Sequence, residues 1–118
     1  MNAKIKVGIL GAGGFTGQEL MRIFARHPNT ELVYITSSEF VGQHLSQAFP
    51  ALVSPSTAAL KFSAHPQTVN DAGKLDAVFL ATPDDVALRW APEFARANIR
   101  VIDISGAFRL SDSAVFRD

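Results

Sequence analysis

An open α/β fold, a doubly wound and mostly parallel sheet with helices on both faces, is what this sequence predicts, and three observations predict it. An apolar run, Val7-Gly8-Ile9-Leu10, ends in a cluster of glycines and passes at once into a helical segment. Strand-like and helix-like segments then alternate along the chain, the order expected when parallel strands are joined by crossover helices. Asp76 to Ala81 (DAVFLA) is a short continuous apolar run, the pattern of a strand covered on both faces. The 118 residues suit a single domain, 1–118, with one core.

Each element has its own signal. Lys4 to Leu10 reads as the first strand, with Ile5, Val7, Ile9 and Leu10 leading into the glycines. Phe15 to Arg26 carries Leu20, Ile23, Phe24 and His27 at helical spacing, and Glu19 early with Arg22 and Arg26 late suits the helix dipole. His27-Pro28-Asn29 stops that helix, because a proline biases its predecessor out of the helical region. Glu31 to Thr36 (ELVYIT) is the second strand and ends in Ser37-Ser38. From Glu39 to Gly73 the pattern is weak, giving only a short strand at Leu60 to Ser63 and a loop at Ser54-Pro55-Ser56-Thr57. After the DAVFLA strand, Thr82-Pro83-Asp84-Asp85 opens a helix reaching about Ala97. Val86, Trp90, Phe94 and Ala97 form its apolar stripe, and Pro92 is a candidate break or kink. Val101 to Ile104 (VIDI) is a further strand, followed by Ser105-Gly106-Ala107-Phe108-Arg109. No internal repeat or domain boundary appears.

Composition narrows the function classes. Hydrophobic residues make up 47% of the chain and charged residues 19%, a globular balance. Eleven basic residues match eleven acidic ones with no Lys/Arg run, so the electrostatic footprint of a nucleic-acid binder is missing. No apolar stretch is long enough to span a bilayer, and Met1 to Lys6 has no signal-peptide core, which points to the cytoplasm. Lack of cysteine rules out disulfides and thiolate metal sites. His27, His44 and His65 are scattered without metal-ligand spacing, and His27 reads as a helix C-terminal residue. No metal site is expected.

The chemistry-bearing motif is the glycine cluster. Gly11, Gly14 and Gly17 fall in a G-x-x-G-x-x-G pattern, and Gly13 adds a G-x-G. Following a strand and opening a helix, such a motif brings backbone N–H groups to a dinucleotide pyrophosphate. Gly11 permits the turn, Gly13 and Gly14 let the phosphates approach, and Gly17 allows close packing of helix on strand. The end of the second strand then bears on the choice of nicotinamide cofactor. A ribose-binding carboxylate is expected about twenty residues past the glycines. Thr36, Ser37 and Ser38 stand there instead, and small hydroxyls suit a 2′-phosphate that a carboxylate would repel, so NADP is favoured. Glu39 either reaches a ribose hydroxyl or points to water, and no arginine is close in sequence to pair with the extra phosphate. Thr82-Pro83 is either a binding loop or a strand end followed by a helix cap on Thr82 or Asp84. Asp103, Ser105 and Arg109 either hold a substrate anion or, through an Asp103–Arg109 pair, fix the turn at Gly106.

Taken together, several segments resemble one family. Gly11-Ala12-Gly13-Gly14-Phe15-Thr16-Gly17-Gln18-Glu19-Leu20, Thr36-Ser37-Ser38, Phe49-Pro50, and Val101 through Asp103-Ile104-Ser105-Gly106-Ala107-Phe108-Arg109-Leu110 are similar to the N-acetyl-gamma-glutamyl-phosphate reductases of arginine biosynthesis, relatives of aspartate-semialdehyde dehydrogenase. The resemblance implies a Rossmann-type NADP-binding domain in which Gly11, Gly13, Gly14, Phe15, Thr16 and Gly17 bind the pyrophosphate. It places Ser37 and Ser38 by the adenosine ribose phosphate, Ala81, Thr82 and Pro83 near the cofactor's other half, and Ser105 and Arg109 on the substrate side. Two positions depart from the family pattern: Ser38 replaces a frequent arginine, and Asp84-Asp85 replaces a frequent His-Gly. The family reaction uses a cysteine thiolate on an acyl phosphate and a histidine as acid–base, both placed beyond Asp118 by the resemblance. This chain is thus expected to hold cofactor without catalytic residues of its own, to be inactive alone, and to belong to a homo-oligomer when full length. Related acyl-phosphate reductases of lysine or aspartate-family biosynthesis, and a stand-alone nucleotide-binding domain, are the alternatives.

Overall fold

A computed structural model describes residues 4–104 of the chain. In chain order it shows strand β1 (Ile5–Leu10), helix α1 (Phe15–Arg26), strand β2 (Thr30–Thr36), a one-turn helix α2 (Leu45–Ala48), strand β3 (Phe62–Ser63), strand β4 (Ala77–Leu80), helix α3 (Asp84–Arg96) and strand β5 (Arg100–Asp103). Two 3₁₀ turns, Pro50–Leu52 and Val69–Ala72, lie between. The five strands form one sheet in the order β3-β2-β1-β4-β5, and every strand pair is parallel. The chain first moves outward from β1 to β3 and then restarts on the other side at β4, so the order reverses between β1 and β4. Ligands of open α/β sheets lie at the carboxyl ends of the strands at such a reversal.

Side chains pack on the two sheet faces as two clusters. Val7, Ile9, Leu32 and Ile35 meet Met21 of α1 together with Leu45, Leu52 and Phe62. Leu10, Tyr34, Val78 and Leu80 meet Ala87, Trp90 and Phe94 of α3 on the other face. Each large side chain so buried contributes about 2 kcal/mol. Strict alternation along β2 would put Leu32 and Tyr34 on one face. They lie on opposite faces because the pairing with β1 slips: Val7 pairs with Leu32 and Gly8 with Tyr34, leaving Val33 as an extra residue. At Gly8 a Cβ would sit 2.9 Å from Leu75 Cδ1, so Leu75 packs directly over the strand there and would have to shift to admit a side chain.

Several element details differ from the sequence reading. The buried line of α1 is Gly17 and Met21 flanked by half-buried Leu20 and Phe24, and Ile23 is 57% exposed. Pro92 neither breaks nor ends α3, which runs unbroken from Asp84 to Arg96. Pro92 and Leu88, one turn earlier, are both exposed, so the carbonyl that loses its partner there is on the solvent side. Neither Thr82 nor Asp84 caps α3: the cap position is Pro83 and no side chain bonds there. A left-handed Asn98 (φ 63°) closes the helix, with Asn98 N–H donating to Ala95 O and Ile99 N–H to Phe94 O.

The weakly patterned stretch has structure of its own. Phe40, Phe49 and Phe62 form a three-ring cluster with centroids 5.0 to 6.0 Å apart. Residues 42–45 run along the outer edge of β3, with Gly42 N–H donating to Phe62 O and Phe62 N–H to Gln43 O, which covers an otherwise open strand edge.

Candidate functional site

At the carboxyl ends of β1, β2 and β4 lies a cleft of about 190 Å³, lined by Gly11, Gly13, Gly14, Ser37, Ser38, Glu39, His65, Ala81, Thr82 and Pro83. Two larger hollows, of about 490 and 670 Å³, open at the opposite ends of the strands and share Lys4 and Asp76 in their walls. Size therefore does not single out the cleft; its place at the strand reversal and its lining do.

The glycines divide their labour. Gly11 has φ +84°, and a Cβ there would lie 2.6 Å from Ala81 O, so the turn that leaves β1 admits no side chain. At Gly17 a Cβ would lie 2.4 Å from Gly11 O and 2.6 Å from Ala12 Cα, which locks the first turn of α1 onto the loop. At Gly13 a Cβ would meet the Phe40 ring and Ser37 Oγ, both at 2.8 Å. The approach that Gly13 permits within the structure is thus that of the segment following β2. Gly14 alone has room, its nearest neighbour being Gly11 O at 3.8 Å. Gln18 secures the loop by donating from Nε2 to Gly13 O at 3.0 Å.

The two long helices differ at their N-termini. Helix α3 carries Asp84 and Asp85 in its first turn, which offset its dipole. Helix α1 begins after Gly14 with no acidic residue in its first turn and no side-chain cap. Its leading N–H groups and partial positive charge are left for an anion, at the lip of the cleft.

Beside the glycines, the end of β2 is organised by hydroxyls. Thr36, fully buried, accepts the Gly11 N–H on Oγ1 at 3.1 Å, and the same oxygen lies 2.8 Å from His65 Nδ1. Ser37 Oγ accepts the N–H groups of Glu39 (3.1 Å) and Phe40 (3.0 Å), which leaves its own O–H to donate. Ser38 and Glu39 are exposed. His65 is half-buried, and burial lowers its pKa below the usual imidazole value. Across the cleft, Thr82 is 5% exposed and its Oγ1 has no partner among the described residues. A buried hydroxyl without a partner is costly and suits a site that completes itself with a ligand. These features together fit a dinucleotide: an uncompensated helix start, a glycine loop with open space only at Gly14, and unspent hydroxyls on both sides.

Of the residues expected from sequence, Gly11, Gly13, Gly14, Ser37, Ser38, Ala81, Thr82 and Pro83 come together in the cleft. Phe15 and Thr16 are exposed in the first turn of α1, and Gly17 is buried behind the loop. Ser105 and Arg109 lie outside the described residues. His65 is the addition, while Thr36, expected from sequence to offer its hydroxyl beside Ser37 and Ser38, is fully buried and bonded to Gly11 and His65 instead. His65 follows β3, whose pairing with β2 brings it to the cleft, and no spacing in the sequence announces that.

The family profile described as semialdehyde dehydrogenase, NAD binding domain, matches residues 6–117. The N-acetyl-gamma-glutamyl-phosphate reductase of Herminiimonas arsenicoxydans is 46% identical over 115 residues, covering 95% of this chain and 31% of the relative. The reductase of the same name from Geobacillus thermodenitrificans is 41% identical over 114 residues, with the same coverage. The chain therefore spans 31% of the length of these curated relatives. Among solved structures, an aspartate semialdehyde dehydrogenase with NADP from Candida albicans aligns with a TM-score of 0.74 at 23% identity, over 91% of this chain and 31% of that one. That likeness extends the agreement to the fold. With 6–117 matched and the glycine loop, strand order and cleft in place, the chain belongs to the NAD-binding domain family of the semialdehyde dehydrogenases.

Proposed function

We propose that residues 1–118 are the NADP(H)-binding segment of an N-acetyl-gamma-glutamyl-phosphate reductase, which converts an acyl phosphate to a semialdehyde and releases phosphate. The observation that carries this reading is the cleft at the β1/β4 reversal, where the uncompensated start of α1 meets the glycine loop. The 46% identity to a reductase of that name over 95% of the chain supports the choice of substrate class.

In this reading the backbone at Gly13 and Gly14 and the leading N–H groups of Phe15 and Thr16 hold the pyrophosphate, and Gly11 and Gly17 shape the loop. Ser37 and Ser38 serve the adenosine ribose and its 2′-phosphate. Ala81, Thr82 and Pro83 border the nicotinamide half, where the unpartnered Thr82 hydroxyl gains a bond. Ser105 and Arg109 serve the substrate side. When bound, the dinucleotide would supply the hydride that reduces the acyl group to the aldehyde, after a thiolate has displaced phosphate to form a thioester and with that thiolate as the leaving group. The thiolate nucleophile this chemistry needs must come from outside this chain, which has no cysteine. The segment alone binds cofactor and does not turn over. A cytoplasmic enzyme, homo-oligomeric at full length and free of metal, completes the reading.

Calorimetric titration of the folded protein with NADPH and NADH tests it. Binding of NADPH in preference to NADH is expected, with no NADPH consumption when the acyl phosphate is added. Absence of heat with either nucleotide would sink the reading, and turnover by the chain alone would show that the chemistry does not require a cysteine.

A further inference from the structure

A 2′-phosphate in this cleft would meet an electrostatic difficulty. Among the described residues no lysine or arginine lines the cleft, and Glu39 brings a carboxylate. The other titratable group among the described lining residues is His65. We propose that His65 is the residue that selects NADP(H) over NAD(H), its Nε2 donating to the 2′-phosphate of the adenosine ribose. This rests on the NADP(H) reading above and adds the group that makes the distinction.

Position supports it first. β3 pairs with β2 through Ile35–Phe62 and Thr36–Ser63, and Ser37 N–H donates to Ser63 O at 3.0 Å. His65, two residues beyond, therefore flanks the end of β2 on the side of Ser37 and Ser38, where the adenosine ribose of an α/β dinucleotide site lies. It is separated by β2 and β1 from β4, which leads to Ala81–Pro83.

Orientation supports it next. The Thr36 hydroxyl carries one proton, and its oxygen already accepts the Gly11 N–H. The acceptor within reach of that proton is His65 Nδ1, at 2.8 Å. With Nδ1 accepting, the neutral ring carries its own proton on Nε2. Burial favours this neutral form in the absence of ligand. With Nδ1 still accepting from Thr36, the Nε2–H donates to a phosphate dianion in a charge-assisted bond, stronger than one to a neutral acceptor. A ribose 2′-hydroxyl gives no such gain. The Thr36 relay also means that the residue reading the 2′-position is tied to the loop that holds the pyrophosphate.

The test is calorimetric titration of NADPH and NADH into the wild-type chain, His65→Asn and His65→Arg, with circular dichroism verifying that each is folded. Asparagine keeps an acceptor near the place of Nδ1 and removes Nε2. His65→Asn is expected to lose about tenfold or more in NADPH affinity while NADH affinity stays within about twofold. His65→Arg is expected to keep the preference for NADPH, and carries the test should the asparagine variant fail to fold. Equal weakening of both nucleotides by His65→Asn would overturn the proposal, since His65 would then act only through Thr36 on the loop. An unchanged NADPH preference in His65→Asn, or a lost one in folded His65→Arg, would overturn it as well. A wild-type chain that binds neither nucleotide, or prefers NADH, defeats the NADP(H) reading itself and is distinguished from those outcomes without any variant.

Discussion

The two sides of the cleft are built by different means. The glycine side is contiguous in sequence and made of backbone, its shape set by approaches as close as the 2.4 Å that would separate a Gly17 Cβ from Gly11 O. The β2 side is assembled from residues 36 to 39 and from His65, and it works through side chains: one threonine, two serines, a carboxylate and an imidazole. Thr36 is the joint between them, bonded to Gly11 on one side and to His65 on the other. The contrast teaches that a side built from closely approaching backbone tolerates side chains only where space is left, as at Gly14. A side-chain site can change its preference without disturbing the sheet.

The largest effect belongs to the backbone side. Gly17→Ala forces a methyl into Gly11 O and Ala12 Cα, and should cost about 3 kcal/mol of stability, read from the urea midpoint. An unchanged midpoint would mean that α1 stands off from the loop freely. Gly14→Leu separates binding from folding. Open space and an ordinary φ of −79° at Gly14 leave only a capping cost of about 1 kcal/mol. The side chain should still abolish phosphate approach and weaken NADPH and NADH alike, by roughly 100-fold. Selective loss of one nucleotide would contradict the division between the two sides.

Thr36→Val should touch both. It leaves the Gly11 N–H without its acceptor, costing about 1–2 kcal/mol, and it frees His65 Nδ1. Both nucleotides should weaken and the preference between them should shrink. Retention of the full preference would show that His65 is oriented by something other than Thr36.

The smallest effect is a titration of the strand beneath the side-chain side. Tyr34 is the single tyrosine, 8% exposed, and burial, helped by the Asp71 carboxylate, pushes its pKa up to about 12. Its unfolded value is near 10, so this contribution to stability is fully present below pH 10 and is lost as pH rises from about 10 to about 12. Tyrosinate absorbance should therefore lag well behind that of the urea-unfolded chain. Coincident titrations would show that the Tyr34 hydroxyl stays hydrated in the folded chain.

How much of this was legible in the sequence follows the same contrast. The glycine loop, its helix and the strands around it were readable because each is local: an apolar run, a glycine turn, a periodic stripe. Even there the stripe misled at Ile23, which is apolar and exposed, and passed over Met21, which is buried. The extra residue in β2 was not readable, because Leu-Val-Tyr-Ile gives no turn signal and the slip exists only in its pairing with β1. Residues 40 to 75 were opaque because their elements are one turn or two residues long, too short for any period. Their order comes from three phenylalanines spread over 23 positions, Phe40 to Phe62, that meet only once β3 has paired. His65 shared that opacity. It looked like a scattered histidine because its partner, Thr36, lies 29 residues away.

The extra residue at Val33 also shapes how this strand can evolve. Exchanging Val33 for another residue changes one half-buried side chain. Deleting it would make Leu32 and Tyr34 neighbours in regular alternation, so the pairing of Gly8 with Tyr34 and of Ile9 with Ile35, and the faces of Tyr34, Ile35 and Thr36, can all be kept. Losing a residue from the regularly paired part, between Tyr34 and Thr36, would instead turn Thr36 to the other face and part it from Gly11 and His65 together. Descendants of this sequence can therefore explore β2 by substitution and by loss of its extra residue, whereas other changes of length there must be selected against or matched by a compensating change in β1.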